Sequence, residues 1–193
     1  MFGLKLPTDP RWVDIAEKNI EEILIDHAWC EQKAASSAIS MIVHYPEKSD
    51  LVEAMLELSK EELDHFQMVH KRITDRGLVL GKSRRDEYVR ALLTFFPKDV
   101  AREHKLTHEL LISALIEARS CERFRLLSEQ IQDKDLSEFY HVLMVSEANH
   151  YTLFLNFARQ YGDREVVDAK WQSLLEFEAE VMKNLKNEGK FHG

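Results

Sequence analysis

EELDHF, Glu61–Phe66, sets a glutamate and a histidine, Glu62 and His65, three residues apart in a run that otherwise reads as an apolar helical seam. Leu51, Met55, Leu58, Glu62, His65 and Val69 recur at alternating spacings of four and three, the inward stripe of a bundle helix. The same rhythm returns in Leu136, Tyr140, Leu143, Glu147, His150 and Phe154. Two further helical runs supply stripes with one glutamate each. One holds Ile20, Leu24, His27, Glu31, Ala34 and Ala38; the other holds Leu110, Ala114, Glu117, Cys121 and Phe124. Four core stripes are thus interrupted by a carboxylate, and two of them by Glu-x-x-His.

A buried carboxylate costs several kcal/mol unless it is paired or bound to metal. Four at one level would repel, and two divalent ions would neutralise four glutamates. Residues i and i+3 share a helix face. One Glu from each of two helices plus Glu-x-x-His from each of two others is the di-iron or di-manganese carboxylate pattern.

With 22 Glu and 9 His in the chain, chance supplies about one Glu-x-x-His. Antiparallel register separates the three that occur. Glu31 and Glu62 are centred on 46.5, in the HYPEKSD turn (His44–Asp50), and Glu117 and Glu147 on 132, beside the QDKD turn (Gln132–Asp135). The third match, Glu138/His141, would need Glu109, and that midpoint falls inside a helix. It is expected on the surface. The two halves also repeat, with offsets of 86, 85 and 85 for 31 to 117, 62 to 147 and 65 to 150.

The 193 residues, 45% hydrophobic with only 6 Gly and 4 Pro, point to one all-α domain over 1–193,. A first helix is expected from Asp9–Pro10 to about Val43 and a second from Asp50 to Arg76, ended by Gly77. The insertion 77–100 carries a short helix around RRDEYVRALL. The third runs from about Ala101 to Gln132, the fourth from Asp135 to Gln160, and the fifth from Arg164 to about Asn187. Asp50/Glu53 and Asp135/Glu138 read as cap-like pairs. No apolar run is long enough to span a membrane, and MFGLKLPTDPRW lacks the core of a signal peptide. With Cys30 and Cys121 as the only cysteines, a cytoplasmic location is expected.

His27, one turn before Glu31, is expected to be a hydrogen-bonded core residue rather than a ligand. Glu61, Asp64 and Ser146 are candidates to support the ligand histidines, and Glu122 is expected behind the ligands or at the surface. Ala34, Ala35 and Ala38 leave room for a pocket or serve close helix packing, and Cys121, one turn after Glu117, is either a small core residue or part of the pocket lining. The net charge is −8, yet Lys71–Lys105 carries 10 Lys and Arg against 5 Asp and Glu.

DHAWCEQKAAS (Asp26–Ser36), EELDHF, LIEARSCERF (Leu115–Phe124) and SEANHY (Ser146–Tyr151) resemble the MiaE family, the tRNA-(2-methylthio-N6-isopentenyladenosine) hydroxylases, across nearly the whole chain. The resemblance implies a ferritin-like four-helix bundle with a short crossover insertion and a fifth C-terminal helix. It implies two iron ions held by Glu31, Glu62, His65, Glu117, Glu147 and His150, and O2 as co-substrate. The implied reaction hydroxylates the isopentenyl group of a prenylated adenosine in a tRNA anticodon loop. An external electron donor, ferredoxin or reductase, is then required.

A base splayed from a single-stranded loop could enter such a site while the phosphates rest on surface cations. Lys82, Arg84, Arg85 and Arg90 are the candidates, with Arg119, Arg123 and Arg125 next. The alternatives are bacterioferritin-like iron storage and a rubrerythrin-like peroxide-reducing protein. The storage protein would form a large cage; the peroxide-reducing one would carry a four-cysteine iron module.

Overall fold

The computed structural model describes residues 2–185, and among them it contains helices and no strand. The helices are α1 (Arg11–Lys18), α2 (Ile20–His44), α3 (Ser49–Asp75), α4 (Glu87–Leu92), α5 (Arg102–Gln130), α6 (Lys134–Tyr161) and α7 (Arg164–Asn184). The all-α expectation holds, with one difference in the first helix. It is broken at Asn19 (φ −127°, ψ 34°), a residue type that competes with helical backbone bonding. The Asn19 carbonyl accepts the Ile23 N–H at 3.0 Å and so opens α2. The expected end of the fifth helix, near Asn187, lies outside the described residues.

Three aspartates start helices. Asp86, Asp133 and Asp163 accept the backbone N–H of Val89, Leu136 and Val166 at 2.9, 3.2 and 3.1 Å, each worth about 1 kcal/mol. The expected cap-like pairs do not form the caps. Asp133 rather than Asp135 starts α6, and α3 begins at Ser49 after Lys48 with no side-chain cap bond. Gly77 ends α3 as expected. Its φ of +72° lets Leu78 N–H reach the Ile73 carbonyl at 3.1 Å and Gly77 N–H reach that of Thr74 at 2.9 Å, a Schellman closure.

The chain divides into two compact units. One is built on α2 and α3, whose short link at Tyr45–Lys48 makes them antiparallel neighbours,. Leu24, His27, Glu31 and Ala38 of α2 are buried, as are all six stripe residues of α3. Ile20 and Ala34 are only half-buried.

The other unit contains the N-terminal segment, α1 and α4–α7. All five stripe residues of α5 and all six of α6 are buried. A buried ionic knot centres on Arg119 of α5. Its Nε and Nη2 donate to Glu178 Oε1 of α7 at 2.9 and 2.6 Å, and Nη2 also donates to the Leu6 carbonyl at 3.0 Å. Nη1 meets Glu122, and Thr8 Oγ1 donates to the same carboxylate at 2.7 Å. The Tyr88 hydroxyl of α4 donates to Glu178 at 3.2 Å. Arg123 is buried beside the knot, its guanidinium 4.8 Å from the centre of the Trp12 ring of α1.

Three sequence expectations are corrected here. Glu122 does not lie at the surface, because it is a buried member of this knot. Arg119 and Arg123 are fully buried and cannot serve as phosphate contacts.

The knot draws three chain segments, the N-terminal one, α4 and α7, onto one helix, and removing one charge leaves its partner stranded in the interior. Glu178→Ala should therefore cost about 3–5 kcal/mol, read as a lowered denaturation midpoint. A loss under about 1 kcal/mol, the scale of an exposed pair, would mean the knot carries little of the stability.

Candidate functional site

Within the α2–α3 unit, Glu31, Glu62 and His65 converge. One ligand atom of each lies within 4.8 Å of the others, and all three residues are buried. His65 turns Nδ1 inward, 3.8 Å from Glu31 Oε2 and 3.5 Å from Glu62 Oε2. Its Nε2 points outward, 3.9 Å from Glu61 Oε1. His27 is completely buried, and its Nε2 meets Glu31 Oε1 at 2.5 Å, so it is the hydrogen-bonded core histidine that was expected.

The α5–α6 unit brings together Glu117, Glu147 and His150, again buried and with one ligand atom each inside a 4.8 Å span. His150 Nδ1 lies 3.9 Å from Glu147 Oε2, and Nε2 is 3.5 Å from Ser146 Oγ. Each unit thus supplies two carboxylates and one imidazole on facing helix stripes, with Nδ1 of the histidine toward the acids. This is a hard oxygen and imidazole donor set, which fits iron.

Electrostatics bear on the first trio. Burial works to raise the Glu31 carboxyl, but His27, by charge and hydrogen bond, and His65 hold it well below its ordinary value. Burial works to lower the His65 imidazolium, but hydrogen bonds and charge from Glu31 and Glu62 hold it up at about 10. A proton on His65 thus offsets part of the carboxylate charge. Burial, reinforced by Glu117, pushes the Cys121 thiol up to about 12. Its Sγ donates to the Met144 carbonyl at 3.1 Å.

The remaining candidates spread out. Glu138, His141, Glu61 and Asp64 are exposed and Ser146 is buried. Ala35 and Ala38 are buried and Ala34 half-buried. Lys82, Arg84, Arg85 and Arg90 are all exposed. Arg84 pairs with Glu22, and Arg90 with Glu87 at 2.8 Å. Arg125 pairs with Glu129 at 2.8 Å. Sequence reasoning missed the Arg119 knot, whose only visible trace was a cluster of arginines and glutamates in LIEARSCERF.

A divalent ion held through His65 would have to displace its proton. The raised pKa means that this proton stabilises the metal-free fold fully below about pH 6.5, and that its contribution fades as pH rises toward about 10,. Affinity for a divalent ion should therefore climb about tenfold per pH unit over that window. Competition titrations from pH 6.5 to 9 check the slope, and a flat profile would contradict the assignment of His65 as a ligand.

Among known proteins, the family model tRNA-(MS[2]IO[6]A)-hydroxylase (MiaE) matches residues 2–193. A Pseudomonas putida tRNA 2-(methylsulfanyl)-N(6)-isopentenyladenosine(37) hydroxylase is 37% identical over 192 residues, covering 98% of this chain and 91% of that protein. The Salmonella typhimurium protein of the same description is 29% identical over 240 residues, covering 98% and 87%. A solved Synechococcus protein described as having aldehyde deformylating oxygenase activity superposes with a TM-score of 0.92. It is 34% identical, with coverage of 98% of this chain and 95% of that one. The likeness carries a ferritin-like fold.

Proposed function

The chain belongs to the MiaE family of tRNA hydroxylases, and from that membership we propose that it hydroxylates the isopentenyl group of 2-methylthio-N6-isopentenyladenosine in tRNA. The observation that carries this reading is the pair of buried Glu, Glu, His trios, one per unit, repeating in sequence at offsets of 86, 85 and 85. The trios are read as the two halves of one di-iron centre, with Glu31, Glu62 and His65 in one half and Glu117, Glu147 and His150 in the other. The four carboxylates then balance two ferrous ions.

When bound, the irons supply the redox chemistry that O2 requires. The chain's own residues hold, orient and exclude. Each histidine offers Nδ1, and buried Leu58, Leu110, Leu143 and Phe154 on the same stripes keep water from the reacting carbon,. One oxygen atom enters a C–H bond of the prenyl group and the other leaves as water. Two electrons and two protons balance the reaction, the electrons coming from an external ferredoxin or reductase. Ala34, Ala38 and Cys121, near the ligands in sequence, are proposed to shape the prenyl pocket.

The test uses the iron-loaded chain with reductant, labelled O2 and prenylated tRNA. Two irons per chain are expected, and the nucleoside should gain a single labelled oxygen. A label arriving only from labelled water would defeat the proposal.

The tRNA surface is proposed to include Lys82, Arg84, Arg85 and Arg90. Lys82 makes no ion pair among the described residues. The pairs of Arg84 and Arg90 are exposed, each worth about 1 kcal/mol or less, so phosphates can displace them. The double variant Arg84→Ala/Arg85→Ala should weaken tRNA binding and flatten the log–log salt slope by about 1.4, at unchanged iron content. Wild-type affinity at low salt would place the RNA elsewhere.

A further inference from the structure

The repeat that relates the two halves makes their differences readable. The register that carries Glu31 into Glu117 carries His27 into Ser113 and Ala35 into Cys121. The register that carries His65 into His150 carries Glu61 into Ser146. The ligands therefore repeat while the groups behind them do not.

The contrast is sharpest at the two lone glutamates. Glu31 Oε1 is met by His27 Nε2 at 2.5 Å, with both side chains buried. Glu117 accepts no hydrogen bond from any described residue. Ser113 does not reach it, and the Cys121 thiol is committed to the Met144 carbonyl at 3.1 Å. Behind the histidines, His65 faces the Glu61 carboxylate at 3.9 Å while His150 faces the Ser146 hydroxyl at 3.5 Å.

An imidazole N–H donated to one carboxylate oxygen fixes the carboxylate's rotamer and withdraws donor strength from that oxygen. Glu31 then has Oε2 to offer, and Oε2 is the oxygen that faces His65 Nδ1 at 3.8 Å. Glu117 keeps both oxygens available and can turn. We propose that His27 is a positioning residue that restricts Glu31 to one ligating oxygen and thereby makes the two iron positions inequivalent. This rests on the di-iron reading of the two trios. The position served by Glu31, Glu62 and His65 is the rigid one, and the position served by Glu117, Glu147 and His150 can change its carboxylate geometry during turnover.

The experiment loads the full chain with ferrous 57Fe and takes iron analysis together with Mössbauer spectra, without substrate or turnover. The wild type should hold two irons per chain and show two quadrupole doublets of equal area. His27→Ala should move or remove one doublet and leave the other in place. His27→Gln, whose amide N–H can still donate to Glu31, should restore the wild-type pair and covers the case in which the alanine variant fails to fold. Two irons giving a single wild-type doublet would overturn the inference, as would both doublets unmoved in His27→Ala or both moved equally in His27→Gln. Fewer than two irons in the wild type would instead sink the di-iron reading itself.

Discussion

A carboxylate taken out of water must be given a positive partner, and among the described residues this chain buries six: Glu31, Glu62, Glu117, Glu122, Glu147 and Glu178. Two solutions appear on α5, little more than one turn apart. Glu122 is met by a permanent cation, the Arg119 guanidinium, which also holds Glu178 and ties in α7 and the N-terminal segment. Glu117 has no such side chain beside it. Its partner is proposed to be a metal that arrives after folding. The structural pair and the proposed ligand have the same chemistry at the carboxylate, and the difference lies in whether the countercharge is part of the chain.

The first trio shows an intermediate arrangement. Glu31 is countered by two histidines, and one of them, His65, is itself a proposed ligand. A proton there stands in the place a divalent ion would take. Burial alone would drive Glu31 toward its neutral form and His65 toward its uncharged form. His27, followed by His65, outweighs the first tendency, and Glu31 together with Glu62 outweighs the second.

Much of this was legible in the sequence because metal ligation and helix periodicity impose one common spacing. The stripes of α3, α5 and α6 were read residue for residue. Glu138/His141 could be set aside because antiparallel register denies it a partner, and it proves exposed. The features that escaped lack a period. Asn19 breaks the first helix through backbone competition at a single residue, which hydrophobic spacing does not register. The caps slipped by a residue or two because several acids stand at each turn and only geometry chooses among them. The Arg119 knot was invisible because its members come from positions 8, 88, 119, 122 and 178. Arginine in a charged-looking run reads as surface until those remote acids are seen to close on it.

That run has a consequence for how the chain can vary over generations. Every residue from Glu117 to Phe124 is buried, and 18 of the 29 residues of α5 are buried, against 8 of 27 in α3. A helix with one buried face tolerates substitution with a period of 3.6 residues. The middle of α5 has no permissive face, so tolerance there is flat and low along eight consecutive positions. Lineages that diversify this protein must do so on the other helices and in the loops, while EARSCERF drifts last.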